Sequence, residues 1–497
     1  MSDLFAALDL GSNSFHMLLA HRAGGTFETV ERLQEKVQLL RGFRGGRLHA
    51  DAMARGEACL ARFAQRLADV PRAQIRIAGT HALREADNRE EFAAAAQRIF
   101  GVPLEVISGS DEARLINLGV AHQIPAAPGD GRLVVDVGGG STELAWSDAA
   151  EPLHEPRRVA SFKVGCVSLT EAHFQSGVAQ PQAYLAARAR ALQALDGLTP
   201  VAAGCEVIGT SGTVESVHSV LAANGWDGEC ITADGLAMLT DAIVDGRWLV
   251  EAGLPGLQPE RVDIFAAGLA VVDALFQRLG LRTMRFVDVS LQDGLLYRDV
   301  TPPDRGEDLR ARTVARLQQR FAVDTAQAAR VRRTALALFD GTAAWWPRDE
   351  GWRALLGWAA ELHEIGTVVA SRHYHRHGAY LLQNSDMRAF SPQQQFQLAL
   401  LVRGHRRAFP GLSFRAYDDA TRRCLVRLLS LLRIAVILHR GHSDAHAPPV
   451  AASIGADQEG LNLDLGAPWL AAHPLSAREL EVEAGQLDAA GIRLRVR

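Results

Sequence analysis

Residues 132–146, RLVVDVGGGSTELAW, join two carboxylates to a glycine run in a way that suits phosphate chemistry. Apolar residues lead to Asp136, then Gly138, Gly139, Gly140, Ser141 and Thr142 follow, and Glu143 opens a second apolar run. This order predicts strand, tight turn, strand. Glycines allow positive φ and close approach to the amides, and successive amides in such a turn form a concave nest for an anion. Asp136 and Glu143 flank that nest, where they could hold a hard cation such as Mg²⁺ against bound phosphate. An ordinary hairpin with solvated acids would carry the same residues, so the stretch does not decide the matter alone.

The pattern occurs twice. Residues 5–20 read FAALDLGSNSFHMLLA, and aligning Asp9 on Asp136 also aligns Gly11 with Gly138 and Ser14 with Ser141. Each hairpin is followed by a short apolar run ending in Gly-Thr, at Gly79-Thr80 and Gly209-Thr210, and each run leads into a helical pattern. Asp9 and Gly79 are 70 residues apart, Asp136 and Gly209 73. Two hairpin/strand/helix units in matching order predict a duplicated α/β domain with its ligand between the halves.

Two further residues admit a plain and a chemical reading. Arg84 falls in the first turn of a helix after Thr80, where amides and a guanidinium could meet phosphate, although a solvated helix arginine is the simpler account. Glu112 follows Ser108-Gly109-Ser110-Asp111. A serine cap and acids in a first turn stabilise helices by default, yet a carboxylate near phosphate loops could also act as general base for water.

Composition sets outer bounds. A chain of 497 residues is too long for one core, so several domains are expected. With 48% hydrophobic and 22% charged residues it reads as a soluble globular protein. Residues 2–20 lack a basic n-region and carry Asp3 and Asp9, so no secretory signal is expected there. The apolar run over 428–438 is broken by Arg433 and falls short of the ~20 residues a membrane helix needs. The five cysteines, at 59, 166, 205, 230 and 424, form no Cys-x-x-Cys pair, which suggests reduced thiols in the cytoplasm. Charge is uneven: residues 1–300 carry 27 Lys/Arg against 37 Asp/Glu, residues 301–440 carry 22 against 12, and residues 441–497 carry 4 against 8. A basic third segment beside an acidic half suggests contact with a polyanion. An arginine-rich surface, in a chain whose lysines are Lys36 and Lys163 alone, is the bland alternative.

ISGSDEARLINLGVAH followed by LVVDVGGGSTELAW closely resembles the exopolyphosphatase/guanosine pentaphosphate phosphohydrolase (Ppx/GppA) family, a branch of the actin-like and Hsp70-like phosphotransferases. DLGSNSFHMLL, GTHALREA, FKVGCVSLTE, IGTSGTVES, FAAGLAVVDALF and SLQDGLLYR match that family's pattern in its order. ELHEIG, YHRHGAYLLQNSDMRAFS and LALLVRGHRR look like the helical third domain of its longer members. The resemblance implies an α/β fold of duplicated actin-like (ribonuclease H-like) domains, 1–122 and 123–301, an HD-like helical domain over 302–440 and a small α/β domain over 441–497. It further implies Glu112 as base for water and Asp136 and Glu143 as metal carboxylates. Asn13, Ser14, Thr80, Arg84, Gly139, Gly140, Ser141, Thr142, Gly209, Ser211, Gly212 and Thr213 match the phosphate-cradling loops, and Lys163 stands where a basic residue is common. Asp293 replaces a usual glutamate at a position read as structural, and Phe162-Lys163 stands where two arginines can occur, which bears on substrate affinity. Mg²⁺ is the implied cofactor, with K⁺ as a further candidate cation.

In the third segment His363-Glu364 resembles the core of an HD-type metal phosphohydrolase, with His373, His375, His377 and His405 near in sequence. The pair is His-Glu where an HD site has His-Asp, so a degenerate, metal-free helical domain is expected. His373 and His377 are four apart on a predicted helix. Arginines 403, 406, 407, 422, 423 and 427 could instead guide polyphosphate. A turn-rich stretch at 441–449 and a final strand over GIRLRVR are also expected.

The resulting reading is an exopolyphosphatase that releases terminal orthophosphate from linear polyphosphate. Hydrolysis of guanosine pentaphosphate at the same site is the nearest alternative, followed by a kinase of the same superfamily and a non-catalytic polyphosphate or nucleotide sensor. A cytoplasmic homodimer is expected, without a transmembrane segment or nucleic-acid partner and with peripheral membrane association left open.

Overall fold

A computed structural model describes residues 3–23, 26–124, 131–148, 154–174, 180–245, 254–298, 300, 309–346, 351–385, 387, 389–409, 414, 417–443, 451–454 and 460–497. The chain forms two compact units, Met1–Glu307 and Asp308–Arg497.

The first unit holds two sheets of matching design. In the first, β1 (Leu4–Leu10), β2 (Ser14–Ala23), β3 (Thr26–Lys36), β4 (Ile75–Gly79) and β5 (Glu105–Val106) lie in the order β3-β2-β1-β4-β5. In the second, β6 (Gly131–Val137), β7 (Thr142–Asp148), β8 (Arg158–Phe162), β9 (Glu206–Thr210), β10 (Ile231–Thr232) and β11 (Thr283–Phe286) lie in the order β8-β7-β6-β9-β11-β10. Each sheet therefore starts from an antiparallel three-strand meander whose first strand pairs in parallel with the fourth. Register carries the repeat to single residues. Leu10 pairs with Phe15 and Val137 with Thr142, each closing a turn of four residues.

The inner strands are apolar on both faces, as helices covering both sides of a sheet require. Ala6, Leu8 and Leu10 point into one core with α1 (Ala50–Arg66) and α3 (Arg89–Phe100), while Ala7, Leu18 and Ala78 join Val134, Ala145 and Ile208 of the second sheet in a shared layer. That shared layer holds the two halves together, and two helices run through it: α4 (Gly109–Gln123) and α8 (Leu291–Tyr297). They touch at glycines. A Cβ on Gly119 would meet Val289 Cγ1 at 3.0 Å, and one on Gly294 would stand 2.0 Å from the Leu115 carbonyl oxygen. Asp293 caps α8 by accepting from the Ser290 N–H at 2.9 Å and is itself gripped by Arg32 Nη2 (3.1 Å) and Gln123 Nε2 (2.9 Å). It is a buried structural acid.

The second unit is mainly helical. α9 (Leu309–Arg320), α10 (Thr325–Gly341), α11 (Gly351–Leu362), α12 (Tyr374–Gln383), α13 (Pro392–Gly404) and α14 (Asp419–Leu438) surround one core. A three-stranded sheet, β12 (Ala451–Ile454), β13 (Gly460–Asp464) and β14 (Arg493–Val496), and helix α15 (Pro474–Asp488) complete the unit. Leu461, Leu463, Leu480 and Leu494 pack into the same cluster as Leu428 and Ile434, so the helices and the terminal sheet share a core. Arg433 is buried between them. It donates to Glu483 Oε2 (2.7 Å) and to the carbonyls of Gly404 (2.6 Å) and Arg407 (2.8 Å), which removes the cost of an unpaired buried charge. The turn-rich stretch expected over 441–449 lies from 444 onward outside the described residues. His373 is not on a helix with His377. It precedes α12 in the left-handed region, φ 62°, which breaks the four-residue spacing read from the sequence.

The glycine contact gives a direct expectation. Gly294→Ala places a methyl against backbone that must shift, so it should destabilise the protein by about 1–3 kcal/mol and lower turnover by displacing α4. Thermal denaturation and a single-turnover assay check both. A melting temperature equal to wild type would mean that the two helices separate at no cost.

Candidate active site

The site lies between the halves of the first unit, in a cleft of about 380 Å³. Four carboxyl groups gather at it from four elements, three of them lining the cleft and Glu143 standing behind its wall. Asp9 comes from β1, Asp136 from the end of β6, Glu143 from the start of β7 and Glu112 from the first turn of α4. Asp136 and Glu143 are direct partners across the hairpin, which puts both side chains on one face. Ser108 caps α4 through the Asp111 N–H (3.1 Å), which fixes where Glu112 projects.

One guanidinium serves these acids. Arg84 Nη1 donates to Glu112 Oε2 at 2.7 Å and to the Ile107 carbonyl at 3.0 Å, while Nη2 reaches Ser141 Oγ (3.4 Å) and lies 3.8 Å from Glu143 Oε1. Glu143 Oε1 also accepts from Ser161 Oγ (2.7 Å), and Asp136 Oδ1 accepts from Thr210 Oγ1 (2.7 Å). This is too little positive charge for four acids. Desolvation, then the neighbouring charges of Glu112 and Asp136, hold Asp9 and Glu143 well above the ordinary carboxylate range. Burial raises Asp136 against the Thr210 hydrogen bond. Burial also pushes Glu112 up to about 7, against the opposing pull of Arg84.

Polar atoms left without partners gather at the same place. Asp9 Oδ1, Ser12 Oγ, His81 Nδ1, Glu143 Oε2 and Ser211 Oγ are buried and make no hydrogen bond. Such groups cost free energy unless something else completes them. Asn13, Ser14, Thr80, Gly139, Gly140, Ser141, Ser211, Gly212 and Thr213 line the cleft with Glu112 and Asp136. The glycine loop is held from behind: the N–H groups of Cys166 and Val167 donate to the carbonyls of Gly138 (3.0 Å) and Gly139 (2.7 Å) at the start of α5 (Cys166–His173). In a trans peptide the N–H opposes the carbonyl, so the amides of Gly139 and Gly140 point the other way. A Cβ on Gly140 would lie 2.3 Å from His81 Nδ1, and one on Gly139 3.3 Å from Ser12 Cβ, so the loops of the two halves adjoin. Ser211 opens α6 (Ser211–Ala223) with φ 77°, a strained conformation for a residue with a side chain.

Other residues singled out in the sequence lie elsewhere. Lys163 does not line the cleft. It is exposed and pairs with Glu85 at 2.8 Å. Thr142 is fully buried and donates to the Val164 carbonyl (2.7 Å), tying the hairpin to the strand that follows. Gly209 sits beneath Met284 and Val214, where a Cβ would collide. Glu143 and Arg84 stand behind the cleft wall, within reach of Glu112 through the guanidinium. Sequence reasoning missed His81 and Arg261. Arg261 lines the cleft with its guanidinium against Gly212, and among the described residues it makes no ion pair. No local motif marks it.

Residues 18–302 match the Ppx/GppA phosphatase family, and residues 309–484 match the Ppx/GppA phosphatase domain III. The chain belongs to the Ppx/GppA phosphatase family. Within it, the chain is 38% identical over 493 residues to a guanosine-5'-triphosphate,3'-diphosphate pyrophosphatase of Vibrio cholerae, covering 98% of this chain and 96% of that one. The crystal structure of an exopolyphosphatase-like protein matches 60% of this chain and 98% of its own, at 25% identity and a TM-score of 0.51. An exopolyphosphatase from Cytophaga hutchinsonii matches at 20% identity and a TM-score of 0.50, over 59% of this chain and 96% of its own, and shares the fold. The duplicated α/β architecture and the phosphatase family thus agree with the sequence. No helix among the described residues is long and apolar enough to cross a membrane.

The buried state of Glu112 has a measurable consequence. An acid whose folded pKa is raised gives stability that is present below its unfolded value and is lost as pH rises through the folded one. For Glu112 that window runs from its ordinary value of 4.5 to about 7. Glu112→Gln cannot ionise, so its melting temperature relative to wild type should climb between pH 5 and pH 8 in chelator. A difference independent of pH would show that Glu112 titrates as an exposed acid does.

Proposed function

We propose that the chain hydrolyses the terminal 5′-phosphoanhydride of guanosine pentaphosphate, releasing orthophosphate and guanosine tetraphosphate. The near full-length likeness to the Vibrio cholerae pyrophosphatase carries this choice of substrate. It moves linear polyphosphate, the first reading from sequence, to second place.

In this reading Glu112 accepts the proton of the attacking water. It is buried at the cleft wall, and a pKa near 7 suits a base that works near neutrality. Arg84 orients the Glu112 carboxylate, while the amides of Gly139 and Gly140 and the hydroxyls of Ser141 and Thr213 meet the terminal phosphoryl group. Positioning and charge stabilisation are most of what phosphoryl transfer requires. The donor set also fits Mg²⁺: every group is an oxygen, and Asp9 Oδ1 and Glu143 Oε2 lack partners. Among the described residues no three His, Cys, Asp or Glu side chains make a ready cage. Mg²⁺ needs none, because it binds through one or two carboxylates, waters and substrate phosphates. Asp136 and Glu143, with Asp9 beside them, would hold it, and when bound it would neutralise phosphate charge.

Phosphate release from guanosine pentaphosphate and from long-chain polyphosphate, measured in parallel with Mg²⁺, tests the proposal. Preference for the nucleotide in kcat/KM is expected, and Glu112→Gln should lower turnover by at least ~10²-fold with binding retained. Hydrolysis of polyphosphate alone would restore the first reading, and near-normal release by the variant would remove Glu112 from the mechanism. Arg261→Ala takes away a charged donor worth about 1.5–3 kcal/mol. It should therefore cost roughly 10- to 100-fold in kcat/KM. An unchanged kcat/KM would show that this guanidinium does not meet the substrate.

A further inference from the structure

We propose that His363, Glu364, His405 and His442 form a site for one divalent transition-metal ion of the zinc type within the second unit. The inference is independent of the phosphohydrolase cleft and departs from the metal-free helical domain expected from sequence.

The case rests on which nitrogen atoms are used and which are left over. His363 and His405 are each 1% exposed. His363 Nδ1 lies 2.7 Å from the Ala360 carbonyl, and His405 Nδ1 lies 2.6 Å from the Val402 carbonyl. A carbonyl only accepts, so both Nδ1 atoms carry the proton and both Nε2 atoms keep a lone pair. Neither Nε2 has a hydrogen-bond partner. Two buried imidazoles therefore present unused lone pairs, at the cost that unsatisfied groups incur. Their rings stand 5.5 Å apart between centroids and nearly perpendicular, at 88°. Two imidazoles sharing an ion at zinc bond lengths would have centroids about 5 Å apart.

A carboxylate and a third imidazole complete the group. Glu364 Oε1 lies 3.9 Å from His363 Nε2 and 3.4 Å from His442 Nε2. Donor atoms on one tetrahedral zinc are about 3.3 Å apart. His442 Nδ1 in turn lies 3.4 Å from Asp324 Oδ2. All three histidines thus have Nδ1 engaged by a carbonyl or a carboxylate and Nε2 turned elsewhere, which is how metal-binding histidines are held from behind. Three imidazoles and one carboxylate suit zinc, copper, iron or nickel and not Mg²⁺. Among the described residues no three such side chains are yet drawn together as tightly as a bound ion needs. Binding would draw Glu364 and the half-exposed His442 inward toward the buried histidine pair to reach zinc distances. His375, although its Nδ1 also lacks a partner, has its ring 6.3 Å from His405, beyond that spacing. The ion would clip together the segments that follow α11, α13 and α14, and through Asp324 the N-cap of α10.

Tag-free full-length protein, stripped with chelator, would be titrated with Co²⁺ and then Zn²⁺. One equivalent of Co²⁺ should give the visible absorption of a four-coordinate site, and Zn²⁺ should displace it and raise the melting temperature. His405→Ala and His442→Ala should each weaken binding by at least ~10-fold, while His375→Ala should bind as wild type does. His442 is partly exposed, so its variant should melt as wild type does in chelator and keep Mg²⁺-supported phosphate release. Absence of the Co²⁺ band, or binding that the His405 and His442 variants leave unchanged, would overturn the proposal, and loss of binding in His375→Ala would overturn this ligand set.

Discussion

The structure is organised by a shortage of positive charge. Asp9, Glu112, Asp136 and Glu143 converge at the cleft, and Arg84 is the cation that touches two of them. Like charges in one low-dielectric site raise each other's proton affinity, and the protein alone does not relieve this. Ordinary stabilising networks are balanced, as Arg433 shows with Glu483 and two carbonyls. An unbalanced one is a mark of function. It also ties the site to the contacts that join the halves. Three of the acids stand on strands and the fourth on α4, whose depth is set by the glycine contact with α8. Loosening that crossing would let Glu112 reach solvent, and the raised proton affinity that burial gives it would disappear.

Much of this fold could be read from the residues because it is a local pattern repeated. The hairpins around Asp9 and Asp136 have the same turn length, and a shift of 127 residues takes Leu10 and Phe15 onto Val137 and Thr142. Apolar runs on either side of a glycine turn leave few other arrangements. The shared core of the second unit was less legible. Nothing between residues 460 and 496 tells that Leu463 and Leu494 pack with Leu428, since that contact is made by tertiary packing and not by any local period.

The site divides along the same line. Asp136 and the glycine turn after it could be found because turns have sequence signatures, while Glu112 and the Asn13 and Ser211 loops were found through the match to the family's pattern. A motif marks a backbone shape, however, and some of its members serve only that shape. The Thr142 hydroxyl holds the Val164 carbonyl and Gly209 makes room for Met284. His81 and Arg261 had the opposite fate. Each lines the cleft because of where a neighbouring element carries it, and neither sits in a pattern that chemistry alone would pick out. The histidines of the second unit show the limit most clearly. Sequence proximity drew attention to His373 and His377, while the structure brings His363 close to His405, 42 positions away in the chain.

The repeat is broken at one informative position. The shift of 127 residues that takes Asp9 to Asp136 takes His16 to Glu143. Burial, with Arg261 and Arg32 nearby, lowers His16 to about 4, so this imidazole is neutral where the second half has an acid. His16 is the cross-strand partner of Asp9 as Glu143 is of Asp136, so the first hairpin sets a neutral imidazole beside its acid where the second sets another acid. The cleft is lined by Asp9, Glu112 and Asp136 together with His16, Arg32 and Arg261. Under the proposed function the doubled acids of the second hairpin are the pair that would hold a cation, and Arg32 and Arg261 are the groups that would meet the negative charge of the substrate. Two copies of one hairpin thus take different parts in one site because one residue pair differs between them.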